Sequence, residues 1–116
     1  MDQGDFVIET RGKQTVLRPT IPSLMEESQV AAFEACGQAQ VRANRTELVV
    51  DFSEVQYVSS RLVGALLNIR KASVAAAGGG GGAVTLVGMR PALLELVKLV
   101  RLDKMFKIKA TVAAAA

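Results

Sequence analysis

The sequence predicts an α/β fold in one domain of 116 residues. Leu48-Val49-Val50 is apolar at both alternating positions, which is typical of a central strand that is covered on both faces. Segments with helical periodicity stand before and after this strand. The order strand, helix, strand favours a crossover between parallel strands, so a parallel pairing at the centre of the sheet is expected.

An N-terminal hairpin is predicted over residues 6–20. Two short runs rich in β-formers are separated by Arg11-Gly12-Lys13, whose glycine suits a tight turn. Pro19 and Pro22 cannot donate ladder hydrogen bonds, so they are expected to end the second strand.

A first helix is predicted from Ser23 to about Ala43, because a proline followed by a serine suits the start of a helix. The residues that can share its buried face are Met25, Ala32, Phe33, Cys36 and Ala43. The residues expected on its solvent face are Glu27, Glu34, Gln38, Arg42 and Arg45. This amphipathic pattern predicts a helix that covers a sheet.

A second helix is predicted to begin at Ser59, which suits an N-cap, with Ser60 in or beside the first turn. Its apolar side is predicted to comprise Leu62, Val63, Leu66 and Ile69. The opposite side is predicted to comprise Arg61, Gly64, Asn68 and Lys71, which recur at helical spacing. One stripe of this helix therefore faces solvent, and the stripe starts at the two serines.

The C-terminal third is predicted to add a strand over 84–87, a third helix from Pro91 and a last edge strand over 106–109. The side chains of the third helix expected to face the sheet are Leu93, Leu94, Val97 and Val100. Met105 is expected to help close the core. The glycine run 78–82 lacks the ending of a phosphate-binding loop, so it is expected to be a flexible connection, and residues 111–116 are expected to fray.

The composition argues against catalysis and metal binding. The chain has no histidine and a single cysteine, Cys36. A catalytic triad, an internal disulfide and a metal cluster are therefore not expected, and no cofactor is predicted. Because Cys36 falls on the apolar side of the first helix, we interpret it as a small buried hydrophobe rather than a reactive thiol.

Charge and hydropathy argue against nucleic-acid and membrane partners. Fourteen basic residues against eleven acidic ones leave a net charge of +3, and no basic patch is interleaved with aromatic residues. No apolar stretch is long enough to span a bilayer, and the N-terminus lacks the pattern of a signal peptide. We therefore expect a cytoplasmic protein without nucleic-acid binding or direct membrane insertion.

Ser59, Ser60 and Asp51 are the residues to which the sequence draws attention. The serines fit two interpretations: caps of a helix, or acceptors of a phosphate that the helix N-terminus would stabilise. Asp51 ends the central strand, where it fits either a turn cap or a functional group. The residues alone leave both pairs of interpretations open.

The chain resembles the STAS domain family and, within it, the bacterial anti-sigma factor antagonists. The resemblance lies in ELVVDFSEVQYVSS, LVGALLNIRKA, TLVGMRPALLELVKL and LDKMFKI. It implies a mixed four- to five-stranded sheet with helices packed largely on one side. It also implies binding to an anti-sigma factor that is a serine kinase, release when that kinase phosphorylates the antagonist, and reversal by a PP2C-type phosphatase.

The family's phosphorylation motif is Asp-Ser-Ser-Gly, which falls here on Val58, Ser59, Ser60 and Arg61. The resemblance implies that Ser60 is the acceptor, although the motif's acid and glycine are replaced. The partner-binding residues expected beside it are Asp51, Arg61, Gly64, Asn68 and Lys71. The replacements leave open a non-phosphorylated STAS scaffold, or an accessory subunit of a stressosome-like or transporter complex, and a homodimer is also left open.

Overall fold

The structure is a computed structural model that describes residues 6–11, 14–44, 47–76, 84–104 and 106–109. Its strands are β1 (Phe6–Arg11), β2 (Gln14–Pro19), β3 (Ser23–Leu24), β4 (Glu47–Asp51), β5 (Tyr57–Val58), β6 (Val84–Val87) and β7 (Lys107–Lys109). Its α-helices are α1 (Glu27–Asn44), α2 (Arg61–Ala76) and α3 (Pro91–Leu99), and a short 3₁₀ helix covers Leu102–Lys104.

Five strands form one mixed sheet in the order β1-β2-β4-β6-β7, while β3 and β5 form a separate pair. β1 runs antiparallel to β2, as expected of a hairpin, and the other pairings within the large sheet are parallel. The apolar run of β4 is therefore central, as predicted, with Leu48 between Thr15 of β2 and Val84 of β6. The predicted edge strand is also present, as β7.

The helices pack on one face of this sheet, as the family resemblance implied. Successive strand residues point to opposite faces, so Leu48 and Val50 join the main core while Val49 packs with Val16 and Val87 on the other side. The helical residues buried in the main core are Val30, Phe33 and Val41 of α1, Leu62, Ala65, Leu66 and Ile69 of α2, and Leu93 and Val97 of α3. No described helical residue joins the smaller cluster.

On the opposite face one carboxylate contacts side chains of three other strands. Glu47 of β4 accepts hydrogen bonds from Gln14 Nε2 of β2 (3.2 Å) and from Thr85 Oγ1 of β6 (3.0 Å). Lys107 Nζ of β7 lies 4.0 Å from the same carboxylate. Polar cross-strand contacts thus tie the strands together on this face.

The predicted start of the first helix at Ser23 is wrong. Ser23–Leu24 instead forms β3, which pairs in parallel with β5, and the helix begins at Glu27. Leu24 is fully buried by this pairing, whereas Met25, expected on the buried face, has 47% of its surface exposed. Ala32 was also expected to be buried and is exposed. Phe33 is buried as predicted and Cys36 is half-buried, while the other inward positions of α1 are Val30, Gly37 and Val41.

The third helix ends at Leu99, one residue before Val100, the last residue that was expected to face the sheet. Val100, predicted to face the sheet, is 44% exposed because α3 ends at Leu99 and the chain turns away. Two backbone bonds close this end, from Val100 N to Leu96 O (3.1 Å) and from Arg101 N to Lys98 O (3.1 Å). Arg101 takes the left-handed conformation, with φ of 61°.

Several expectations fall outside the described residues. These are the Gly12 turn, the glycine run 78–82, the tail 111–116, Arg45, Met105 and the side chain of Ala43. Within the part of the chain that the structure describes, no helix is long and apolar enough to cross a membrane.

The strained end of α3 yields a stability prediction. Arg101→Gly should raise the free energy of unfolding by about 0.5–1 kcal/mol, because glycine adopts a positive φ without the steric cost that a side chain adds. Urea denaturation monitored by circular dichroism would measure the change. Arg90→Gly is the control: Arg90 is also exposed but has φ of −70°, so its replacement should bring no gain. Equal effects of the two substitutions would contradict the assignment of strain.

Candidate functional site

The start of α2 is positioned by the short pairing of β3 with β5. Backbone amides of Gln56 and Tyr57 both donate to the carbonyl oxygen of Pro22 (2.7 and 3.0 Å), and Ser59 N donates to Leu24 O (3.4 Å). Because β3 leads directly into α1 and β5 leads into α2, these bonds place the N-terminal ends of both helices side by side.

The two helices then run parallel and in contact. Two contacts follow in the same order along both helices. Asn68 Nδ2 of α2 donates to Glu34 Oε1 of α1 (3.2 Å), and further along Gly37 of α1 lies against Ile69 of α2. A Cβ atom at Gly37 would lie 2.6 Å from Cδ1 of the buried Ile69. The glycine therefore allows α1 to approach α2 closely at this level.

The two serines differ in accessibility. Ser60 is exposed directly before the first residue of α2. Ser59 is half-buried, and its Oγ is fully enclosed with no hydrogen-bond partner among the described residues. The prediction that Ser59 caps the helix is therefore wrong, because the helix begins at Arg61 and the Ser59 hydroxyl bonds to none of its amides. The backbone carbonyls of Ser59 and Ser60 instead accept from Leu62 N and Val63 N (both 3.1 Å).

The predicted solvent stripe of α2 is confirmed as exposed. Arg61, Gly64, Asn68 and Lys71 all face solvent, while Leu62, Leu66 and Ile69 are buried on the opposite side. The first three residues of the stripe line a groove between α1 and α2 with a volume of about 440 Å³. The α1 residues that line this α1–α2 groove are Glu27, Val30, Ala31, Glu34, Ala35 and Gln38. Lys71 lies further along the stripe, outside the groove.

Asp51, also expected at the partner-binding surface, does not line this groove. Its Oδ1 accepts a hydrogen bond from Ser53 N (2.9 Å), which is the turn cap that the sequence allowed. The same oxygen would lie 2.7 Å from a Cβ atom at Gly88, whose φ is +67°. The contacts of Asp51 therefore fit a cap of the turn that follows β4, and this turn packs against Gly88 at the end of β6.

Cys36 is half-buried on α1 and packs against the main core. Desolvation raises the pKa of its thiol above the ordinary value, so the thiol stays protonated at neutral pH. Its surroundings match those of a structural cysteine. Among the described residues, no group of three His, Cys, Asp or Glu side chains is arranged to hold a metal ion.

Two exposed hydrophobic residues beside the serines were missed by sequence reasoning. Tyr57 of β5 is 60% exposed and Met25, which follows β3, is 47% exposed. Tyr57 lies in β5, and Met25 directly follows Leu24, whose carbonyl oxygen accepts from Ser59 N, so both lie near the serine end of the stripe. Exposed aromatic side chains and methionines are enriched at protein interfaces. The position of Tyr57 just before the serines could have indicated an exposed contact residue. Met25 could not be recognised, because the predicted start of α1 at Ser23 placed it on the buried face.

The charges of the site are divided between the helices. α1 carries Glu27 in its first turn, whereas α2 has no acid in its first turn and begins with Arg61. Within the described ranges Arg61 takes part in no ion pair. The N-terminal end of α2 is thus an electropositive position with an exposed hydroxyl beside it.

Comparison with known proteins identifies a domain match. Residues 20–109 match a family model described as "Mlab, STAS domain". This range contains β3 to β7 and both helices that form the groove. No curated protein has a sequence that matches this chain.

Solved structures share the fold. An anti-sigma-factor antagonist (STAS) domain protein from Planctomyces limnophilus has a TM-score of 0.81 at 17% identity, over 98% of this chain and 96% of that chain. An anti-sigma factor antagonist from Mycobacterium paratuberculosis has a TM-score of 0.76 at 21% identity, over 97% and 93%. The Bacillus cell fate determinant SpoIIAA in its phosphorylated form has a TM-score of 0.69 at 20% identity, over 95% of each chain. At these identities the likeness establishes the fold.

Replacement by leucine should change the stability in opposite directions at the two helical glycines, Gly64 and Gly37. A Cβ atom at Gly64 would meet nothing within 4 Å, so Gly64→Leu should gain about 0.5–1 kcal/mol of unfolding free energy from helix propensity. Gly37→Leu should lose about 2 kcal/mol or more, because it overpacks against Ile69. Thermal and urea unfolding of both variants would measure this, and a Gly64→Leu protein as unstable as Gly37→Leu would contradict the open space at Gly64.

The enclosed hydroxyl of Ser59 gives a second expectation. Ser59→Ala should leave the free energy of unfolding unchanged or raise it by up to about 1 kcal/mol, because it removes a buried polar atom that has no partner among the described residues. Urea denaturation would measure the change. A loss of about 1 kcal/mol, the usual cost of removing an N-cap, would instead show that Ser59 caps α2 in solution.

Proposed function

The chain belongs to the STAS domain family, and we propose that it acts as an anti-sigma factor antagonist. In this proposal the chain is a regulatory module of the cytoplasm that binds an anti-sigma factor with serine kinase activity. Phosphorylation of Ser60 by that kinase breaks the complex, and a PP2C-type phosphatase restores it. The stripe formed by Arg61, Gly64, Asn68 and Lys71 is the partner-binding surface.

The observation that carries this proposal is the exposed hydroxyl of Ser60 at the start of α2. It lies on the same surface as the stripe and next to the exposed Tyr57, whereas the neighbouring Ser59 hydroxyl is enclosed. A kinase reaches only an accessible acceptor. The difference in exposure therefore favours Ser60 over Ser59, which is also the acceptor that the family motif implies.

A phosphate on Ser60 would change the surface without requiring a change of fold. It adds about two negative charges at the positive end of the helix dipole, which stabilises an anion. Arg61 is exposed and without an ion pair among the described residues, so it is available to pair with that phosphate. A partner that docks on Arg61 would then meet a neutralised arginine and added negative charge.

The replaced motif positions have separate consequences. Val58 stands where the family has an acid, and it is half-buried against the main core, so it supplies packing and no polar contact to the serines. Arg61 stands where the family has glycine and supplies a cation. A phosphate-binding role of Arg61 would offset the lost acid. The structure of phosphorylated SpoIIAA shows that a protein of this fold carries the modification, which supports the proposal by analogy.

A second candidate function is favoured by the same two replacements. A STAS scaffold, or an accessory subunit of a stressosome-like or transporter complex, would use the exposed stripe for docking and would not need a phosphorylation motif. The exposed Tyr57 and Met25 suit such a docking surface as well as they suit the switch. The two functions differ in what a charge at Ser60 does.

Charge substitution at Ser60 separates the two functions. With the anti-sigma factor recovered by pull-down from native cells, Ser60→Asp should weaken binding by about tenfold or more in isothermal titration calorimetry, and Ser60→Ala should bind like the unchanged protein. Ser53→Asp is the matched control, because Ser53 is exposed but lies in the turn after β4. Mass spectrometry after incubation with ATP and the kinase should place phosphate on Ser60 and none on Ser59.

Two outcomes would count against the switch. A competent kinase that leaves both serines unmodified would exclude phosphorylation and leave partner binding standing. Equal affinities of Ser60→Asp and Ser60→Ala would favour the scaffold.

A further inference from the structure

Gly64 is the residue of α2 that the fold does not explain. Glycine destabilises the interior of a helix relative to alanine. At Gly37 the close approach of Ile69 accounts for the glycine, but at Gly64 a Cβ atom would meet nothing within 4 Å. Gly64 also has an ordinary helical conformation, since the only described glycine with positive φ is Gly88. The absence of a side chain at Gly64 leaves open space on the outer surface, along the α2 side of the α1–α2 groove.

The groove is long enough for two to three turns of a helix, since its α2 wall, from Arg61 to Asn68, spans about 10 Å at 1.5 Å per residue. From Glu27 to Gln38 it follows eleven residues of α1, which is about 16 Å at 1.5 Å per residue and about three helical turns. Ala31 and Ala35 of α1 face Gly64 and Ala65 of α2 across it. Between these four small residues a docked backbone can come close, whereas further along the groove the hydrogen bond from Asn68 to Glu34 joins the two walls.

The charges on the two walls are complementary to an amphipathic partner. Glu27 and Glu34 lie seven residues apart on α1, and neither forms an ion pair with a described cation. Arg61 lies on the opposite wall at the end near Ser60. The groove therefore presents two acids along one wall and one base at the entrance of the other.

A strand is a poor fit to this groove. The backbone groups of both walls are already bonded within α1 and α2, so an extended segment would find no donors or acceptors to pair with. A helix satisfies its own backbone and needs only side-chain contacts. The surface is also continuous with the exposed Met25 and Tyr57 at the serine end.

We propose that the α1–α2 groove binds an amphipathic α-helix of the anti-sigma factor, with small side chains over Gly64. Basic side chains seven residues apart face Glu27 and Glu34, and an acidic side chain faces Arg61. This inference rests on the proposed function and deepens it. It also explains how phosphorylation weakens binding, because a phosphate on Ser60 competes with the partner's acidic side chain for Arg61.

Photocrosslinking in native cells tests the geometry. Benzoylphenylalanine replaces Tyr57, Gln38, Asn68 or Ala92 in the full chain, one position at a time; Gln38 and Asn68 line the groove and already carry longer side chains. Ala92 is exposed on α3 away from the groove and is the control. After irradiation, peptide mass spectrometry locates the adducts. The expected adducts from positions 38 and 68 lie in one segment of the anti-sigma factor and recur three or four residues apart, with none from position 92.

The other outcomes are decisive against the groove. Adducts that recur two residues apart would mean an extended segment, and adducts at position 57 without any at 38 or 68 would place the partner on the serine end alone. Either result overturns the helix in the groove while the antagonist function stands. No anti-sigma factor peptide at any position, together with no effect of Ser60→Asp on binding, would overturn both proposals.

Affinity measurements on the recovered anti-sigma factor provide an independent test. Gly64→Leu fills the groove and should weaken binding about thirtyfold or more, whereas Gly64→Ala should weaken it less than about threefold. Glu27→Lys combined with Glu34→Lys should weaken binding about tenfold or more. Glu95→Lys, an exposed acid on α3, is the matched control and should bind unchanged. Full affinity of Gly64→Leu, while Ser60→Asp still weakens binding, would overturn the groove alone.

Discussion

The candidate site depends on one short pairing, the two parallel residues of β3 against the two of β5. A single carbonyl, that of Pro22, accepts two amide hydrogen bonds from the other segment, and Leu24 is buried beneath the pair. Since each segment runs directly into a helix, the pairing decides that α1 and α2 start together and run in parallel. The groove, the exposed serine and the flanking hydrophobic residues all follow from that alignment.

The central part of the fold could be read from local patterns. Three adjacent apolar residues require burial on both faces, and only a middle strand such as β4 supplies it. The start of α1 could not be read this way, because the residues around Ser23 carry a local helix signal that a distant partner overrides. Leu24 is buried in a strand pair with a distant segment, which stabilises the extended conformation. This burial outweighs the helix propensity of the local sequence.

The site was predictable in part for the same reason. Helical periodicity places Arg61, Gly64 and Asn68 on one exposed stripe whatever the rest of the chain does. The second wall of the groove comes from α1, and its position depends on packing that spacing within α2 cannot reveal. The difference between Ser59 and Ser60 is equally hidden, because it arises from which hydroxyl the turn before α2 encloses. Asp51 shows the converse case, in which a conspicuous acid proves to cap a turn.

The parallel packing of α1 and α2 also makes the domain electrically asymmetric. Helices that pack antiparallel largely cancel their dipoles, but here both positive ends emerge at one pole. Glu26 and Glu27 offset this field at the start of α1, whereas Arg61 adds to it on α2. The attraction for an acidic group is therefore strongest at the start of α2, beside Arg61 and the exposed Ser60. The arrangement of two helices thus sets the direction and the salt dependence of encounter as well as the shape of the bound state.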